Sequence, residues 1–144
     1  MNVGWFNGCF DLFHDGHRFA IRECQRQCDW LLLGVNTDAS IVRLKGPERP
    51  IDALDVRMRN IRHFVRQHET PVSIIPFEGN IDPLLMNIRP DTMFFGYDHK
   101  APKAVAYRAI GYKDFPVANQ WEGPKVIKLD NLPGFSTTAQ LRKR

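Results

Sequence analysis

The run Trp30-Leu31-Leu32-Leu33-Gly34-Val35 is the feature that most restricts how this chain can fold. It does not alternate between apolar and polar residues, so it cannot lie with one face in water. A strand of this kind needs apolar cover on both faces, which is the situation of a central strand in a parallel sheet. Residues 3–7 read as a first strand, and 72–77, 92–96 and 125–129 as three more. Helical patterns fill the gaps. After Gly16-His17, the residues Phe19, Ala20, Ile21, Cys24 and Cys28 share one face of a helix over 16–27. A short helix over 39–44 has Asp38 or Thr37 as its cap. The loop Lys45-Gly46-Pro47-Glu48-Arg49-Pro50 follows, because its Gly and Pro residues suit neither helix nor central strand.

A third helix starts at Asp52 or Asp55, runs to about residue 68, and turns Leu54, Met58, Ile61, Phe64 and Val65 inward. Asp82-Pro83 opens a helix to residue 88, with Pro83 at its first position. Residues 101–110 read as helical, 111–124 as irregular and 136–143 as a final helix. Strands alternating with helices over short loops predict a single α/β domain across residues 1–144. The expected architecture is a Rossmann-like, doubly wound parallel sheet of about five strands. In such sheets ligands gather beyond the carboxyl ends of the strands, where the strand order switches.

Charge and cysteine content narrow the function classes. Lys and Arg number 20 against 16 Asp and Glu, a net charge of +4. That excess suits a protein that handles phosphates and does not call for nucleic acid. Arg142-Lys143-Arg144 reads as a solvated tail. The three cysteines, Cys9, Cys24 and Cys28, form no C-x-x-C pair, which points to reduced thiols and a cytoplasmic setting. Polar residues from Asn7 to Asp11 break any secretory pattern. No apolar run approaches the roughly 20 residues of a membrane span, so no membrane association is expected.

The densest chemical signal is Asn7-Gly8-Cys9-Phe10-Asp11-Leu12-Phe13-His14-Asp15-Gly16-His17, which leaves a strand and opens a helix. A helix N-terminus offers N–H groups and partial positive charge to phosphate. His14 in the loop and His17 in the first turn can both reach one phosphate group. Neutral or protonated, they can donate hydrogen bonds to oxygens that gain charge in a transition state. As zinc ligands at i, i+3 they would need Cys9 or Asp11 as a third partner. With no H-E-x-x-H and no paired cysteines, no protein metal site is expected. The chain also lacks G-x-G-x-x-G and G-x-x-x-x-G-K-[ST], so neither a dinucleotide site nor a P-loop is supported.

This segment resembles the G-x-F-D-x-x-H-x-G-H mark of the cytidylyltransferase-like nucleotidyltransferase superfamily, with every fixed position present. Val35-Asn36-Thr37-Asp38-Ala39-Ser40 and Arg43-Leu44-Lys45-Gly46-Pro47-Glu48-Arg49-Pro50 are similar to the V-N-x-D-A-S and R-L-K-G-x-x-R-P of its heptose 1-phosphate adenylyltransferase branch. Gly134-Phe135-Ser136-Thr137-Thr138 resembles the family's G-x-S-T-T, and Phe95-Gly96-Tyr97-Asp98 its G-x-D beside the nucleoside.

The resemblance implies transfer of a nucleoside monophosphate from a nucleoside triphosphate to a small phosphorylated acceptor, with release of pyrophosphate. The catalytic set it implies is His14, His17 and Lys45. Nucleotide contacts fall on Asn7, Gly8, Cys9, Phe10, Gly16, Arg57, Gly96, Asp98, Ser136, Thr137 and Thr138. For Arg57 the alternative is a plain helix-surface arginine. Acceptor contacts fall on Asp11 and Asp38. Mg²⁺ is expected to arrive with the triphosphate, and a homodimer is expected from the relatives.

Two departures bear on the substrate. The glycerol-3-phosphate cytidylyltransferase branch has Arg where this chain has Asn131, which favours ATP over CTP. Phe95-Gly96-Tyr97-Asp98 stands where the heptose branch has Lys-Gly-Gly-Asp, which bears on the acceptor. A non-catalytic nucleotide-binding module on the same fold is the reading from another class. The intact His14, His17 and Lys45 count against it.

Overall fold

The computed structural model describes residues 1–96 and 124–130. Five strands form one sheet: β1 (Val3–Gly8), β2 (Trp30–Asn36), β3 (Val72–Phe77), β4 (Thr92–Phe95) and β5 (Lys125–Lys128). Their order is β3-β2-β1-β4-β5, and every pairing is parallel. The chain winds outward from β1 to β3, returns, and continues from β4 on the other side. The switch in strand order therefore lies between β1 and β4, and a ligand crevice is expected at their carboxyl ends.

Four helices accompany the described strands: α1 (Asp15–Arg26), α2 (Asp38–Lys45), α3 (Leu54–Val65) and α4 (Asp82–Ile88). Side-chain alternation along the strands sorts the core into two layers. Phe6, Leu31, Leu33, Val35 and Phe94 pack on one face with Ile21 and Cys24 of α1 and Ile61 of α3. Trp5 and Met93 pack on the other with Leu85 of α4, joined by the partly buried Leu32, Ile75 and Val126. Apolar cover on both faces explains why residues 30–35 carry no polar alternation.

Gly34 has a specific reason to be glycine. A Cβ there would stand 2.5 Å from Cζ2 of Trp5 on the neighbouring strand. The indole fills the space that a side chain at position 34 would need.

Several boundaries differ from the sequence reading. α1 begins at Asp15 and is capped by His14. Thr37, not Asp38, caps α2, its hydroxyl accepting from Ser40 N at 3.3 Å. Neither Asp52 nor Asp55 caps α3: its N-cap is Ala53, with no side-chain cap bond. The backbone of Asp52 is engaged in other contacts, described below. α3 ends at Val65, and Pro83 is the second residue of α4. The helices read over 101–110 and 136–143 lie outside the described residues, as do Tyr97, Asp98, Asn131, Ser136, Thr137 and Thr138.

Candidate active site

Residues 9–14 connect β1 to α1 and carry the site. Phe10 and Leu12 adopt φ of 55° and 50°. Such left-handed backbone costs a non-glycine residue on the order of 1–3 kcal/mol. Burial holds it in place, since Phe10 is 3% exposed and Leu12 6% exposed.

At the end of this loop the two histidines cap α1 reciprocally. His14 Nδ1 accepts from Gly16 N at 3.1 Å, and His17 Nδ1 accepts from His14 N at 3.3 Å. The arrangement has the logic of a capping box, with imidazole nitrogens in place of hydroxyl and carboxylate oxygens. It also sets the tautomer. A ring nitrogen that accepts carries no proton, so each neutral imidazole holds its hydrogen on Nε2 and is a donor there.

Packing enforces neutrality. The two imidazoles stack at 3.7 Å between centroids and 22° between planes. Phe13 stacks on His17 at 5.6 Å and 18°, and Phe10 meets it edge-on at 5.5 Å. Burial in this aromatic cage, with His14, Lys45 and Arg18 adding repulsion, pushes the His17 pKa down to about 3. Burial and the Arg18 charge also lower His14, against a partial offset from Asp15. The pair supplies hydrogen-bond donors rather than fixed positive charge.

Positive charge comes from elsewhere. Lys45 ends α2, where the sequence reading had put it on the loop, and Gly46 follows with φ of 97°. The Lys45 ammonium reaches Cys9, whose thiol burial pushes up while Lys45 and Arg57 pull it down. Lys45 thus stands beside both Cys9 and His17, and the structure brings the three expected catalytic side chains into one neighbourhood.

Asp11 and Arg57 form the frame behind this neighbourhood. Asp11 is 1% exposed. Its Oδ2 accepts from Ile51 N and its Oδ1 from Asp52 N, each at 2.8 Å. Those bonds fasten the segment after α2 to the loop after β1. Arg57 is fully buried. Its guanidinium donates to the carbonyls of Cys9 at 2.8 Å, Asn36 at 2.7 Å and Asp52 at 3.0 Å, and to Asp38 Oδ1 at 2.6 Å.

The surface alternative for Arg57 is therefore corrected. Its N–H groups hold protein oxygens from the loop after β1, the β2–α2 junction and the segment between α2 and α3, and Asp38, expected at the acceptor, is among them. Of the remaining expected contacts, Asn7 Oδ1 accepts from Trp5 Nε1 at 2.9 Å, and Gly16 N is the donor to His14. Gly8 closes β1, where a Cβ would come within 3.3 Å of the Phe10 ring. Gly96 follows β4, on the other side of the strand-order switch. Among the described residues, no three His, Cys, Asp or Glu side chains converge as metal ligands. No described helix is long and apolar enough to cross a membrane.

A fully buried arginine thus ties the ends of β1 and β2 together behind an imidazole-capped helix. The chain matches the cytidylyltransferase-like family over residues 5–140. It belongs to that family. By class it is a nucleotidyltransferase.

Curated relatives include a "Bifunctional protein HldE" from Granulibacter bethesdensis, 35% identical over 99% of this chain and 27% of the relative. Another of the same name, from Rhodospirillum rubrum, is 32% identical over 99% of this chain and 26% of the relative. The chain thus spans about a quarter of the length of the curated relatives it matches. A lipopolysaccharide core biosynthesis protein from Thermoplasma volcanium shares the fold, with a TM-score of 0.69 at 22% identity over 92% of this chain and 98% of that one. Pantothenate synthetase from Thermus thermophilus does so at 0.57 and 13% identity, covering 90% of this chain and 55% of its own.

Proposed function

We propose that this protein transfers AMP from ATP to a sugar phosphate such as heptose 1-phosphate and releases pyrophosphate. The observation that carries the reading is the reciprocal His14–His17 cap at the first strand-to-helix junction, with Lys45 beside it. The R-L-K-G-x-x-R-P resemblance and Asn131 support ATP as the donor.

The acceptor phosphate is already anionic near neutral pH, so its oxygen needs no general base. It attacks the α-phosphorus in line, the bond to the bridging oxygen breaks, and pyrophosphate leaves. Mg²⁺ travels with the triphosphate as part of the substrate. The protein's task is positioning and charge stabilisation. In this reading the Nε2–H groups of His14 and His17 donate to phosphate oxygens that gain charge. Lys45 closes on the triphosphate, and Ser136, Thr137 and Thr138 offer hydroxyls and backbone N–H groups. Asp98 is assigned to the nucleoside.

The test is a pyrophosphate-release screen that crosses ATP, CTP, GTP and UTP with sugar and polyol phosphates, heptose 1-phosphate and glycerol 3-phosphate among them. ATP with a sugar 1-phosphate is the expected pair. A tenfold or greater preference for CTP, about 1.4 kcal/mol, would overturn the adenylyl assignment and point to glycerol 3-phosphate. Nucleotide binding without pyrophosphate from any pair would leave a non-catalytic module.

A further inference from the structure

The segment between α2 and α3 carries a second cation that the proposed chemistry does not use. The Arg49 side chain is only 18% exposed. Its Nη1 is closed to solvent and has no hydrogen-bond partner among the described residues. It is ion-paired with Asp11 Oδ2 at 3.8 Å, a separation too long for a hydrogen bond. That same oxygen already accepts from Ile51 N at 2.8 Å.

Other arginines nearby are differently placed. Arg57 is engaged by four protein oxygens, and Arg43 donates to Glu78 at 2.7 Å. An arginine donor removed from water without a hydrogen-bond acceptor is unfavourable unless something else supplies one.

We propose that Arg49 is an anion-binding residue of this site and that its guanidinium receives a substrate phosphate. The placement argues for it. Lys45 and Arg49 lie four residues apart on one segment. Lys45 reaches Cys9 and His17, while Arg49 faces Asp11. Both therefore border the loop after β1, whose histidines are neutral and cannot balance phosphate charge themselves. Asp11 fastens the backbone two and three residues after Arg49 through Ile51 N and Asp52 N. A guanidinium presents a planar fork that matches two phosphate oxygens, which an ammonium cannot do. The phosphate can belong to the triphosphate or to the acceptor.

The inference rests on the nucleotidyltransferase reading, but its test does not require turnover. Thermal unfolding of the wild-type chain, Arg49→Ala and Arg49→Lys is followed with inorganic phosphate and with inorganic pyrophosphate as probes, and a dissociation constant is taken from each shift. At least one anion is expected to raise the wild-type Tm. Arg49→Ala should weaken that anion tenfold or more, with Arg49→Lys intermediate. Loss confined to pyrophosphate assigns Arg49 to the triphosphate, and loss confined to phosphate assigns it to the acceptor.

Should Arg49→Ala not fold, Arg49→Lys carries the test, because it keeps the charge and loses only the fork. A wild type that binds neither anion, or variants with a lowered anion-free Tm and unchanged anion affinity, would overturn the assignment. A chain that binds these anions through Arg49 but releases no pyrophosphate in the screen would sink the catalytic reading instead.

Discussion

His14 and His17 stack with their ring centroids 3.7 Å apart, and each accepts a backbone N–H of the α1 cap at Nδ1. One arrangement does two jobs. It satisfies donors that a helix N-terminus would otherwise leave unpaired, and it fixes the tautomer of both rings. Replacing either ring with alanine should therefore act on chemistry more than on binding. His14→Ala and His17→Ala are each expected to lower kcat on the order of 10²–10³-fold, the cost of one lost transition-state donor. Steady-state kinetics with the pair found by the pyrophosphate screen measures this. Wild-type kcat in both variants would end the catalytic assignment.

Neutral imidazoles predict an unusual pH response. His17 has its pKa pushed down to about 3 from an ordinary 6.5. Between those values the unfolded chain binds a proton that the folded chain does not. The His17 contribution is thus fully present above about pH 6.5 and is lost as pH falls towards 3. Two-dimensional NMR of the imidazoles should show His17 as the Nε2–H tautomer, unchanged from pH 8 to pH 5. Urea titrations should show a fall in stability over the acid range that flattens in His17→Asn. A His17 titration midpoint near 6.5 would contradict the caged, neutral ring.

Arg57 links four acceptors from three separate parts of the chain, so its removal should be felt in folding as well as activity. Arg57→Met keeps much of the side-chain volume but leaves the carbonyls of Cys9, Asn36 and Asp52 without their donor. Each buried acceptor left unsatisfied costs about 1–3 kcal/mol. A destabilisation of about 3 kcal/mol or more is expected by urea denaturation. Asp38→Asn should cost much less, because Asp38 is half-exposed and only one of the four bonds changes. Equal, small effects from the two substitutions would argue that Arg57 does not organise the strand ends.

Arg57 also shows where the sequence was readable and where it was not. Spacing puts Leu54, Met58, Ile61, Phe64 and Val65 on one face of α3, and all but Met58 join the core; the two-faced strand at residues 30–35 and the parallel character of the sheet are legible in the same way. Position 57 lies four residues before Ile61, on the same inward face. A charged residue on that face is the one local signal of a buried arginine. Its partners were not legible, because three are backbone carbonyls whose meeting depends on the loops after β1 and β2. The same holds for Asp11. Its acidic side chain suggested a ligand contact, whereas the bonds to Ile51 and Asp52 exist only once residues some forty positions apart are brought together. The H-x-G-H spacing placed the histidines correctly at the helix start. It did not reveal that the two rings cap the helix through each other, because capping patterns are normally sought in hydroxyls and carboxylates.

Lys45 tests whether the frame and the chemistry can be separated. It is exposed, it ends α2, and its carbon stem is not part of either apolar core layer. Removing it should cost the fold little, since surface substitutions of this kind usually stay within about 0.5 kcal/mol. Its charge nevertheless lies beside Cys9 and His17, which is where the proposed mechanism puts the triphosphate. Lys45→Ala is expected to lower kcat/KM on the order of 10²-fold, the lower end of the range for a lost electrostatic donor, while Tm stays near the wild-type value. Lys45→Arg should recover part of the loss, because it restores charge with a different reach. Hydrogen exchange adds a second readout. Asp11 fastens residues 51 and 52, so protection there should not depend on nucleotide, while residues 44–49 should gain protection when nucleotide is added. Activity that survives Lys45→Ala, together with exchange across 44–49 that ignores nucleotide, would remove Lys45 from the mechanism.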